Sequence, residues 1–223
     1  MIDWKTGLLR LPGIRRLSAV RTKLLAHWFD WRHHVTTCGE EDPRKLAVVG
    51  GNAAHAVVYI PTTPRSGRYM LRNLPVSDVS SYTFIDMGSG KGRMLLLAAE
   101  LPFRRIVGVE FASDLNALAR KNAKNYRNSN QACFQIEPLN MDATQFEFPP
   151  EPSIIYFFYP FERFVMEPVI RNLDRSLDEH PRDVILVYFN PVLSDVVEAA
   201  NNLRVYAKSN YFGSLYTIYR SVV

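Results

Sequence analysis

From Tyr82 onward, short apolar runs alternate with helical patterns, as in a parallel sheet covered by helices on both faces. The runs predict strands at Tyr82–Asp86, Arg105–Glu110, Cys133–Glu137, Ser153–Phe158 and Asp183–Asn190. Between and after them the helical spacing predicts helices over Lys91–Leu101, Ser113–Arg127, Glu162–Leu177 and Leu193–Asn202. Leu203–Ser209 and Ser214–Val222 are β-rich and separated only by Asn210-Tyr211-Phe212-Gly213. That span is too short for a helical crossover, so the two segments predict an antiparallel hairpin. The expected class is α/β, a three-layer sandwich around a mostly parallel seven-stranded sheet that ends in that hairpin.

Ahead of this body, Ile14, Leu17, Val20, Leu24, Leu25, Trp28 and Trp31 recur at three- and four-residue steps, one face of a helix. The plain reading is a helix that packs this Trp/Leu stripe on the main body. The alternatives are a basic amphipathic helix on an anionic membrane surface or on nucleic-acid phosphates, and a gate over an active site. The expected division is a basic helical arm and loop over residues 1–58, followed by one domain over residues 59–223.

Composition sharpens this division. The 223 residues are 47% hydrophobic and 22% charged, the balance of a globular protein rather than a disordered or collagen-like one. Seven Lys/Arg face two Asp in the first 34 residues, so the arm holds the whole net charge of +5 and the rest balances. No apolar run approaches the roughly 18 residues of a membrane span. Two distant cysteines, Cys38 and Cys133, fit neither a disulfide scaffold nor a zinc ribbon, so a reducing compartment is expected. His27, His33 and His34 near Cys38 lack the spacing of a known metal site, and a packing or solvated role is favoured with no metal.

Candidate chemistry concentrates at Phe84 to Arg93, FIDMGSGKGR, where Gly88, Gly90 and Gly92 follow a predicted strand and open a helix. Glycines there permit a tight turn and close approach of backbone to ligand. Glu110 ends the next predicted strand, where a carboxylate reaches the hydroxyls of a bound ribose, and Asp142 follows the third. Each has a structural alternative: Asp86 capping the following helix, Glu110 pairing with Arg93 or Lys91, the glycines serving a turn. Their order on these elements favours ligand binding. G-S-G-K-G departs from G-x-G-x-x-G and lacks the G-K-[ST] of a P-loop, which argues against phosphate cradling.

With these motifs the chain resembles the class I S-adenosylmethionine-dependent methyltransferases over roughly Tyr59 to Val223. The DxGSGxGR wording is similar to that of non-SET lysine methyltransferases and their small bacterial relatives. Tyr59-Ile60-Pro61-Thr62 resembles their Y-x-P-[TS] segment, and Thr36-Thr37-Cys38-Gly39 a loop before the domain. The resemblance implies a Rossmann-like fold with S-adenosylmethionine as cofactor. It implies that Asp86, the turn Gly88-Ser89-Gly90-Lys91-Gly92, and Tyr59, Pro61 and Thr62 hold the methionine end. By the same resemblance Glu110 and Phe111 meet the ribose, Asp142 and Ala143 the adenine, and Phe158 also touches the cofactor.

Ligands of open α/β sheets lie beyond the carboxyl ends of the strands, so the acceptor pocket is expected at Phe158-Tyr159-Pro160-Phe161 and Tyr188-Phe189-Asn190-Pro191. Tyr156 and Phe157 read as buried strand. Phe158 stands where base N-methyltransferases carry a polar residue, which counts against adenine chemistry. An aromatic slot suits an amine, because desolvation lowers its pKa. The expected activity is methyl transfer to an amine, with a protein lysine favoured and Tyr159 and Asn190 orienting it. An RNA or small-molecule acceptor, or a non-catalytic nucleotide-binding or membrane-tethered protein, is the alternative. The location expected is cytoplasmic, with residues 10–34 as the contact for a membrane or other anionic partner.

Overall fold

The computed structural model describes residues 12–42, 46–50, 59–211 and 214–222. The start of the arm, residues 51–58 and Phe212-Gly213 of the expected hairpin turn lie outside them. The described strands are β1 (Thr83–Met87), β2 (Arg105–Glu110), β3 (Ile136–Asn140), β4 (Ser153–Phe158), β5 (Val184–Phe189), β6 (Leu203–Tyr211) and β7 (Ser214–Ser221). They form one sheet in the order β3-β2-β1-β4-β5-β7-β6. β3 through β5 run parallel, and β7 inserts antiparallel between β5 and β6. This is the expected mixed sheet.

Helices cover both faces: α1 (Pro12–His33), α2 (Pro64–Arg72), α3 (Arg93–Ala98), α4 (Ser113–Asn125), α5 (Arg163–Glu179) and α6 (Ser194–Glu198). β1 and β5 are buried at every position, as strands covered on two sides must be. Alternate residues feed two cores. Ile154 and Tyr156 join Phe29, Met70 and the α3 leucines on one face, while Ile155 and Phe157 join the apolar side of α5 on the other.

Several boundaries differ from the sequence expectation. β3 starts at Ile136 rather than Cys133, because the amides of Ala132 and Cys133 both donate to the Ala99 carbonyl and are lost to the ladder. Pro138 is tolerated inside β3 because that strand is the sheet edge. α3 cannot begin at Lys91, since Gly92 takes a left-handed conformation at its N-cap with φ 83°. α4 stops at Asn125, where Tyr126 turns extended and buries its ring, and α6 is confined to five residues. α2 was missed altogether. Its signals were present, with Thr63 as N-cap accepting from the Ser66 amide at 3.1 Å and Pro64 opening the first turn.

The arm reverses its expected face. Phe29, Asp30 and His33 are buried against the body, while Val20, Leu24, Leu25, Trp28 and Trp31 are exposed. From Val20 onward the Trp/Leu stripe therefore does not pack on the described body of the domain. His33 is a packing residue: its Nδ1 lies 2.8 Å from the Arg127 carbonyl, and its ring is 4.7 Å from Phe29 and 5.2 Å from Tyr126. Among the described residues no helix is long and apolar enough to cross a membrane.

Candidate active site

A cavity of about 900 Å³, its open mouth included, lies beyond the carboxyl ends of β1, β2 and β4. The chain reverses there through Gly88 at φ 84° and Gly90 at φ 53°, backbone that β-carbons disfavour. A methyl on Gly88 would come within 2.7 Å of Pro160, and one on Gly90 would collide with the Tyr59 ring. The turn is thus compressed between the segment that precedes the sheet and the one that follows β4.

Glu110 is fixed by backbone donors. Its two oxygens accept from the amides of Gly90 at 2.8 Å and Ala112 at 2.9 Å, so neither Lys91 nor Arg93 is its partner. Asp86, at the end of adjacent β1, does not cap a helix, since Gly92 holds that position, and it accepts no hydrogen bond among the described residues. Burial raises the Asp86 carboxyl to about 8, with the charge of Glu110 adding to the rise. Burial likewise raises Glu110 to about 7 against the pull of its amide donors. Two such carboxyls without a cation are arranged for a ligand that brings positive charge and hydroxyl donors.

The cations of the motif are engaged by groups other than these carboxyls. Lys91 Nζ donates to the Cys38 carbonyl at 2.8 Å and to Glu41 at 3.0 Å, turned away from the cavity. Arg93 donates to Thr37 Oγ1 at 2.6 Å and the Thr62 carbonyl at 3.3 Å, and lies 3.7 Å from the buried Asp30. Asp30 also accepts from the amides of Thr37 and Cys38 at 2.7 and 2.8 Å. The last turn of α1 and the segment after it therefore brace the glycine turn from behind.

The cavity is lined by Tyr59, Pro61, Thr62, Asp86, Gly88, Ser89, Glu110, Phe111, Asp142, Ala143, Phe158 and Tyr159, all singled out from sequence. Gly90 lies beneath the Tyr59 ring, and Lys91, Gly92 and Asn190 do not line the cavity. Asp142 Oδ1 accepts from the Thr144 amide at 2.9 Å, and Oδ2 faces Gly50. Sequence reasoning missed Met94, Val109, Leu115 and Val165, because apolar residues in helical or strand patterns give no sign of lining a site.

On the acceptor side the aromatic expectation needs correction. Tyr156, read as plain core, reaches the cavity and bonds Thr62 Oγ1 at 2.7 Å through its hydroxyl. Tyr188 and Phe189 do not reach it. Tyr188 packs against Phe157 with centroids 5.9 Å apart, and Phe189 stacks on Tyr216 at the same separation, edge-on behind Phe158. β5 is covered on both faces, so its aromatic side chains have only core to enter. Tyr159 and Asn190, after β4 and β5, both hold left-handed backbone, at φ 41° and 52°. That conformation costs a non-glycine residue roughly 1–2 kcal/mol.

Solved structures share this fold. The ribosomal protein L11 methylase of Lactobacillus delbrueckii subsp. bulgaricus superposes with a TM-score of 0.52 at 14% identity, over 73% of this chain and 80% of that one. The precorrin-6y C5,15-methyltransferase of Geobacter metallireducens gives 0.51 at 16% identity, over 80% and 94%. The yhhF protein of Escherichia coli gives 0.56 at 16% identity, over 83% and 99%. The chain has the Rossmann-like methyltransferase fold. The family profile described as histone methylation protein DOT1 matches residues 52–153, from before α2 to the start of β4. No curated protein matches the chain. Fold and profile together indicate S-adenosylmethionine as the cofactor.

The residues present fit that cofactor. Asp86 and Glu110 both line the cavity with buried carboxyls that no described Lys or Arg engages, and Ser89 lines it beside them, a polar wall suited to the cofactor's positive charge and hydroxyls.

Proposed function

We propose that the protein is an S-adenosylmethionine-dependent methyltransferase whose acceptor is an amine, favouring the side chain of a protein lysine. The observation that carries the methyltransferase reading is the pair of buried carboxyls at the ends of β1 and β2, one fixed by backbone amides, around a glycine turn. In this reading Asp86, Gly88, Ser89, Tyr59, Pro61 and Thr62 hold the methionine end. Glu110 and Phe111 take the ribose side, and Asp142 with Ala143 the adenine. When bound, the cofactor supplies a methyl carbon made electrophilic by its sulfonium.

The protein's part is to bring an unprotonated nitrogen to that carbon and to exclude water. Phe158, Pro160 and Phe161 form an apolar wall in which a protonated amine loses hydration, so its pKa falls and the free base is favoured. The Tyr159 hydroxyl orients the amine, and its strained backbone is maintained because the Tyr159-Pro160 step is packed over Gly88. Asn190 sits outside the cavity wall, so any part it takes is at the mouth.

Arg93 is the one Lys or Arg among the described lining residues, and it is engaged by Asp30, Thr37 and Thr62. A wall without available cations supports an amine acceptor over a nucleic acid. The matched profile and the L11 methylase are both named for protein methylation, which supports a protein acceptor. The test is transfer of labelled methyl from S-adenosylmethionine into a lysine-rich protein panel and into bulk RNA. Label is expected on lysine, with kcat down about ten-fold in Tyr159→Phe while cofactor affinity holds. Label in RNA alone would refute the acceptor.

A further inference from the structure

We infer that α1 lies in the plane of an anionic membrane surface and carries the domain on it. This rests on the helix alone and is independent of the methyl-transfer reading. The helix buries one side, Phe29, Asp30 and His33, and exposes Val20, Leu24, Leu25, Trp28 and Trp31. At about 100° per residue, Val20, Leu24, Trp28 and Trp31 fall within roughly 80° of arc, centred opposite the buried side. Trp31 is 74% exposed and Leu24 65%, an apolar face that no described part of the chain covers.

Charge decides the occupant. Arg21 and Arg32 flank the stripe on one side, Lys23 and His27 on the other, and all four are exposed. The single acidic residue of α1 is Asp30, and it is buried and engaged by Arg93, Thr37 and Cys38. The exposed part of the helix therefore offers no negative charge. Its end joins the segment after α4 through His33 and the Arg127 carbonyl, and there exposed Lys121 and Lys124 of α4 and Arg127 beyond it add positive charge.

An apolar strip bordered on both sides by cations suits lipid. Trp and Leu enter the headgroup boundary while Arg and Lys reach the anionic heads. Val20, Leu24 and Leu25 have no π face to stack on a base, which counts against single-stranded nucleic acid. A second copy of this helix would bring like charges together with no acid to offset them.

The experiment is flotation of the full-length protein with extruded vesicles, read in parallel by tryptophan emission. Vesicles with about a third phosphatidylglycerol in phosphatidylcholine should carry the protein and shift its emission to the blue, and phosphatidylcholine alone should not. The double variant Leu24→Gln/Trp31→Gln should lose about ten-fold or more in vesicle affinity, with an unchanged thermal melt and unchanged S-adenosylhomocysteine binding. Arg21→Gln and Arg32→Gln should each cost about five-fold on the anionic vesicles. The inference is overturned if wild type floats with neither vesicle or if the Gln pair leaves flotation intact. It is overturned equally if that pair instead abolishes a dimer or the binding of a homopolymeric RNA.

Discussion

Replacing Asp86 by asparagine is expected to stabilise the ligand-free protein at alkaline pH while weakening cofactor binding. The carboxyl is raised from 3.8 to about 8 by burial and by the neighbouring charge of Glu110. Between these two values the native state binds a proton that the unfolded chain has released, so the wild-type protein loses stability as pH climbs through that window. Every tenfold difference in proton affinity between the two states is worth about 1.4 kcal/mol, so full ionisation costs the native state on the order of 5 kcal/mol. Asparagine keeps the shape and removes the charge, but its buried amide lacks partners at a cost of about 1–3 kcal/mol. The net gain is about 2–4 kcal/mol near pH 8.5 and fades toward roughly pH 4, where the native carboxyl is already neutral. For a chain of this size, that gain raises Tm by about 5–10 °C. Calorimetric melts of wild type and Asp86→Asn across this pH range, without ligand, measure it, and titration with S-adenosylhomocysteine measures the lost affinity. A variant that melts lower by the same amount at every pH would show that the carboxylate holds the fold together, and would refute the reasoning.

Glu110→Gln should reduce S-adenosylhomocysteine affinity by about 10- to 100-fold in calorimetric titration with the fold intact, because charge-assisted bonds to the ribose become neutral ones. Asp30→Ala, outside the cavity lining, should lower unfolding free energy by about 3–5 kcal/mol in urea, since it removes the buried ion partner of Arg93 and the acceptor of the Thr37 and Cys38 amides.

The order of strands and helices, the parallel sheet with its terminal hairpin, and the places of Asp86, the glycine turn, Glu110 and Asp142 were legible along the chain. These depend on local rules: strand and helix periodicity, glycine where the backbone turns left-handed, and carboxylates at strand ends. Contact between distant segments was not legible. Nothing at Asp30 announces a partner at Arg93, and nothing in the β-propensity of Tyr156 distinguishes it from Tyr188. One reaches the cavity and the other the core because β4 adjoins β1, whose carboxyl end opens on the cavity, while β5 lies one strand further out. The face of α1 was inverted for a related reason. Periodicity locates an apolar stripe, but whether the stripe or its opposite side is buried depends on what the body offers, and here it offers sites for Phe29, Asp30 and His33. Sequence alone determined the fold class and where the glycine turn and the strand-end carboxylates fall, because both follow from short-range backbone and charge requirements. Only the tertiary structure decided which aromatics wall the cavity and which face of the arm stays outside, because those depend on packing between segments far apart in the chain.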